Sequence, residues 1–178
     1  LYGIADAYDG ILCDVWGVLH NGVSAWPGAI DALSRFRAGG GRVVMITNAP
    51  RPREPVLDQL ARIGVPDGVF DRVVTSGDVT RGLIAEMARK GFHIGPERDL
   101  KLYEGLDVEL VGQTDADSIV CTGLFDDRTE TPDDYSELLT GLAARGLPFI
   151  CANPDIVVEM GDTLLWCAGA LARGYRQM

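Results

Sequence analysis

At 178 residues the chain has room for one domain of ordinary length, or for a small domain carrying an insertion. A composition of 47% hydrophobic and 24% charged residues is that of a globular protein and excludes wholesale disorder or a fibrous repeat. The net charge of −10 argues against nucleic acid and against anionic membrane surfaces, both of which are bound through Lys and Arg.

Ile11–Val15 is a short apolar run interrupted by Asp14. Apolar residues on both faces predict a strand inside a parallel sheet covered by helices. Pro27 then opens a helix whose Ile30, Leu33 and Phe36 recur at three-residue steps, and Gly39–Gly41 close it. Arg42–Thr47 (RVVMIT) is a second strand of the same type. Val56, Leu57, Leu60 and Ile63 predict the next helix, ended by Gly64. Arg72–Thr75 is a third strand, and Asp78 is placed to cap a helix carrying Leu83, Ile84 and Met87. Strands alternating with helices over short links predict a doubly wound α/β fold, a Rossmann-like parallel core sheet.

Beyond Gly91 the pattern loosens. Gly95-Pro96 and the acidic stretch from Asp107 to Asp117 read as loops and short edge elements. Ser118–Thr122 is a strand, Pro132–Arg145 a helix and Leu147–Cys151 another strand, with a turn at Asn153-Pro154-Asp155. Cys167–Tyr175 has helical content. We therefore expect residues 1–88 to form the first half of the core, 89–155 an inserted α/β cap, and 156–178 a return segment and helix toward the core.

No apolar run reaches the length of a membrane span, and no signal pattern opens the chain. Cys13, Cys121, Cys151 and Cys167 show no metal-ligand spacing and three of them sit within or beside apolar runs, so buried reduced thiols in a cytoplasmic protein are expected. Trp26 and Trp166 read as packing residues.

Asp14 lies near the end of the first strand, and Thr47-Asn48 end the second. In such sheets ligands bind outside the carboxyl ends of the strands. An acid on one strand tip and a hydroxyl on its neighbour suit phosphoryl transfer: the carboxylate attacks phosphorus, the hydroxyl holds a phosphate oxygen, and a divalent cation neutralises charge. A capping or solvated Asp is the structural alternative. Gly17, just beyond Asp14, lets backbone approach an anion. Arg51 and Arg53 are placed to meet an anionic substrate or to lie in a solvated loop, and Ser76 to line the rim.

The stretches CDVWGVLHNG, VVMITNAPR, VVTSGD, CANPD and CAGALA, taken in order, resemble the haloacid dehalogenase-like (HAD) superfamily, and more narrowly its class IIA branch with a large cap inserted after the third core strand. That resemblance implies Asp14 as a nucleophile that becomes an aspartyl-phosphate, Thr47 as the phosphoryl-binding residue with Asn48 beside it, and Mg²⁺ held by the Asp14 carboxylate and the Trp16 backbone carbonyl.

Two departures matter. Trp16 stands where the family pattern Asp-x-Asp-Gly has its second acid, which protonates the leaving group and activates water; Trp can do neither. His20 is a substitute base only if it reaches the site, and a loop His is ordinarily exposed. The family's later Lys and Gly-Asp…Asp motif do not appear after Cys167, and Gly161-Asp162 falls in the wrong segment to replace them. The core is thus incomplete in this chain, and we expect the 178 residues to be part of a longer protein. The function expected is Mg²⁺-dependent hydrolysis of a small phosphorylated metabolite, slowed by Trp16. The alternative is an inactive relative that binds a phosphorylated ligand or metal, and a receiver-type signalling domain is disfavoured by the inserted unit. A homo-oligomer is left open.

Overall fold

In the computed structural model, which describes residues 3–178, the chain divides into two compact units. The first comprises the chain up to Thr47, Arg53–Thr75 and Met160–Asp162. The second comprises Asn48–Pro52, Ser76–Glu159 and Thr163–Met178.

In the first unit, β1 (Gly10–Asp14), β2 (Arg42–Thr47) and β3 (Arg72–Thr75) form a parallel sheet in that order. Two helices make the crossovers, α1 (Pro27–Ala38) and α2 (Arg53–Arg62), burying Leu33 and Phe36, and Val56 and Leu60. Right-handed crossovers that run one way along a sheet put both helices on one face. The burial alternates accordingly. Cys13, Val43, Met45 and Val73 are covered, whereas Leu12 (73% exposed), Ile46 and Val74 are open. In this chain β1 is therefore covered by helices on one face.

The second unit holds the sheet that is covered on both faces. It pairs β4 (Lys90–Ile94), β5 (Glu109–Leu110), β6 (Ser118–Cys121) and β7 (Phe149–Cys151), all parallel, in the order β5-β4-β6-β7. One face meets α4 (Ser136–Ala143) and α5 (Ala168–Gln177) through Ile119, Cys121, Leu139, Leu142 and Leu171. On the other, Val120 and Ile150 meet Ile84 and Ala88 of the segment that includes α3 (Ser76–Met87), together with Leu102 and Tyr103. All four residues of β6 are buried, the physical origin of its Ile119-Val120-Cys121 apolar run.

Several elements differ from expectation. Strand β4 reads KGFHI, in which Lys90, Gly91 and His93 break the apolar pattern. A 3-10 helix occupies Glu97–Tyr103. Residues Val157–Met160 (β8) and Thr163–Trp166 (β9) form a hairpin around Gly161-Asp162. Helix α3 begins at Ser76, so Asp78 lies in its first turn instead of capping it. Trp26, at the start of α1, and Trp166 are exposed. The four cysteines are free thiols, with Cys13, Cys121 and Cys167 buried and Cys151 half-buried. Burial pushes the Cys167 thiol up to about 11.

Candidate functional site

Asp14 ends β1 with its side chain exposed, and its Oδ1 accepts the Val15 N–H at 2.7 Å. Parallel register sets Asp14 beside Ile46, one residue before Thr47, which in turn lies beside Thr75. The acid and the hydroxyl thus occupy the carboxyl ends of neighbouring strands. Thr47 is 7% exposed.

The loop after β1 is held by its own backbone. Leu19 N–H donates to Val15 O (2.9 Å), Gly17 N–H to His20 O (2.8 Å) and Trp26 N–H to Leu19 O (2.8 Å). Val15 and Leu19 anchor it in the core. Asn21 Oδ1 accepts from Val23 and Ser24 N–H, a local turn.

Trp16 and His20 meet edge to face, with ring centroids 5.1 Å apart. His20 is 2% exposed, which corrects the expectation of an exposed loop histidine. Its Nδ1 accepts the Gly22 N–H at 2.8 Å. Burial lowers its pKa, and the Asp14 charge opposes that shift. Gly22 adopts φ +87°, and a Cβ there would stand 2.7 Å from Cη2 of Trp16. Only glycine lets the backbone come this close to the indole in this conformation.

Asp14, Trp16, Gly17 and Thr47 belong to the first unit, and Asn48, Arg51 and Ser76 to the second. Within the second unit, Asn48 Nδ2 donates to both oxygens of Asp155, at 3.1 and 3.2 Å. Asp155 is oriented in turn by its own N–H on Asn153 Oδ1 (3.0 Å). Ser76 opens α3, and the next residue, Gly77, donates its N–H to Ala49 O (3.0 Å) and lies against the main chain of Arg51. From the sequence Asp155 is legible only as part of a turn. The one available signal was an acid beside the Pro154 turn.

Gly161-Asp162 forms the exposed turn of the β8–β9 hairpin. Among the described residues no group of three or more His, Cys, Asp or Glu side chains is arranged to hold a metal ion.

The fold defines a class, an α/β protein whose parallel sheet carries an acid and a hydroxyl at the carboxyl ends of neighbouring strands. The particular family follows from comparison. Residues 11–109 match the family model of haloacid dehalogenase-like hydrolases, and the chain belongs to that family. The resemblance drawn from the motifs is thereby borne out at the level of the family. A haloacid dehalogenase-like hydrolase from Brucella suis 1330 is 60% identical with a TM-score of 0.96, over 98% of this chain and 67% of that one. A 4-nitrophenylphosphatase from Thermotoga maritima shares the fold at 22% identity and a TM-score of 0.72, over 99% of this chain and 66% of its own. A glycerol phosphate phosphatase from Mycobacterium tuberculosis, solved with magnesium, shares it at 24% identity and a TM-score of 0.70, over 98% of this chain and 53% of its own. The chain spans about two thirds of the first two. No curated protein matches it. Among the described residues no helix is long and apolar enough to cross a membrane.

Proposed function

We propose that this protein is a class IIA phosphohydrolase that removes phosphate from a small phosphorylated metabolite with Mg²⁺, through an aspartyl-phosphate on Asp14. The observation that carries the reading is the placement of Asp14 and Thr47 at the carboxyl ends of adjacent parallel strands. The names of the related solved structures, a 4-nitrophenylphosphatase and a glycerol phosphate phosphatase with magnesium, support phosphatase chemistry and a divalent metal. In this reading, residues 1–88 supply the first half of the core, 89–155 the cap and 156–178 the return segment.

The Asp14 carboxylate attacks phosphorus, and the Thr47 hydroxyl holds a phosphoryl oxygen. Asn48, Arg51 and Ser76 bind the substrate. Gly17 contributes room for the anion more than a hydrogen bond, because its own N–H donates to His20 O. The Asp14 carboxylate and the Trp16 carbonyl are hard oxygen donors of the kind Mg²⁺ takes, so this donor set fits the ion. When bound, Mg²⁺ would neutralise charge on the transferring phosphoryl group. Neither nucleic acid nor membrane is a partner in this reading.

The test is turnover of a phosphoester panel by the whole protein with Mg²⁺. Asp14→Asn is expected to abolish it and Thr47→Val to reduce it strongly. The second reading, a binder without turnover, is favoured by one observation: Trp16 brings no proton-transfer group to the loop beside Asp14. An inactive native protein that becomes active only as Trp16→Asp supports that second reading.

A further inference from the structure

Resting on the reading of Asp14 as nucleophile, we infer that this enzyme acts on phosphoesters and mixed anhydrides whose leaving group departs without a proton. Aryl, enol and acyl phosphates are of this kind. Alkyl phosphates, such as those of sugars and polyols, are not.

In the transfer step the bond from phosphorus to the leaving oxygen breaks and its electron pair goes to that oxygen, while a bond forms from phosphorus to an Asp14 oxygen. An alkoxide needs a proton as it leaves. An aryloxide, enolate or carboxylate departs as the anion and equilibrates with solvent afterwards. In the second step water attacks phosphorus, the Asp14 carboxylate leaves as a stable anion, and the water proton passes to solvent. The identity of the leaving group thus weighs on the first step alone.

The loop that follows Asp14 presents two ring side chains, Trp16 and His20, and neither can give that proton. The indole N–H is a hydrogen-bond donor and no acid. Packing also fixes the ring: His20 meets it edge to face, and Gly22 lies close against its Cη2 and Cζ2 atoms. The imidazole is used in another way. Its Nδ1 accepts the Gly22 N–H, so in the neutral ring the proton sits on Nε2. Nδ1 is thus already committed to the loop's own backbone. Trp16, His20 and Gly22 therefore form a clasp that holds the loop in shape without serving as its acid.

The experiment is a leaving-group series on the full chain with Mg²⁺, read as kcat/KM, from nitrophenyl through phenyl phosphate to glycerol phosphate. We expect kcat/KM to fall by about a hundred- to ten-thousand-fold across the series, the range that general-acid help supplies. Trp16→Asp is expected to recover most of that loss for glycerol phosphate while changing nitrophenyl phosphate far less. Trp16→Phe, which keeps an aromatic ring and adds no acid, should leave the series steep. A native enzyme that handles glycerol phosphate within about tenfold of nitrophenyl phosphate overturns the inference, even where the Trp16→Asp protein does not fold. Failure of the underlying reading looks different: Asp14→Asn would still turn over nitrophenyl phosphate.

Discussion

The side-chain amide of Asn48 donates to both carboxylate oxygens of Asp155, at 3.1 and 3.2 Å, between residues 107 apart in the chain. Asn48 directly follows Thr47 at the end of β2, and Asp155 ends the Asn153-Pro154-Asp155 turn after β7. A hydrogen bond to a carboxylate orients the amide and leaves its oxygen toward other partners.

Asp155→Ala removes the acceptor from that amide. Because Asn48 is exposed, water replaces part of the loss, and a cost of about 1 kcal/mol is expected. Asp155→Asn retains an acceptor oxygen and should lose less. Urea denaturation of the two variants checks the order, and equal losses would remove the hydrogen bond as the cause.

Glycines in α3 should respond in opposite directions. A Cβ at Gly77 would overlap the main chain of Arg51, which cannot yield as a flexible side-chain tip does. Gly77→Ala is expected to destabilise by about 1–3 kcal/mol. Gly82, in the same helix, has open space at its Cβ position. Gly82→Ala should stabilise by about 0.5–1 kcal/mol through helix propensity alone. Chemical denaturation of both variants measures the contrast.

Asp71 accepts the Val43 N–H at 2.8 Å and an Arg37 N–H at 2.9 Å. The backbone bond, and then the guanidinium, hold its carboxyl below the ordinary value. A depressed folded pKa means stability that is complete above the unfolded value of about 3.9 and lost as pH falls through the folded one. Asp71→Asn should therefore melt below the native protein at neutral pH, with the gap closing in acid below that value. A gap independent of pH would show that the charge is not its source.

Asp99 predicts the reverse. It is 3% exposed, and its Oδ1 has no hydrogen-bond partner. Burial raises its pKa, against the opposing pull of Thr122, Arg98 and Arg51. A raised carboxyl pKa gives stability that is complete below the unfolded value and lost as pH rises through the folded one. Asp99→Asn, neutral throughout, should be more stable than the native protein at pH 7, by about 1 kcal/mol. The gain should vanish in acid, and thermal melts across pH would detect either failure.

Much of the fold was legible because parallel strands write themselves as apolar runs. RVVMIT, RVVT and SIVC each correspond to a strand. KGFHI does not read that way, since Gly91 and His93 take positions that an apolar side chain would mark. The 3-10 helix at Glu97–Tyr103 and the β8–β9 hairpin left no periodicity long enough to detect. In the candidate site, Asp14 and Thr47 stood out because each is a polar residue ending an apolar strand, the end of such sheets where ligands bind.

What the sequence by itself determined is local: which segments are strands and helices, the family motifs, and the substitution of Trp16 for an acid. Tertiary structure alone decided that His20 is buried with its Nδ1 on the Gly22 N–H, and that Asn48 meets Asp155. The reason is physical. Strand and helix patterns arise from neighbours within a few residues, whereas burial, ring orientation and which acceptor a donor finds depend on segments that only the folded chain brings together.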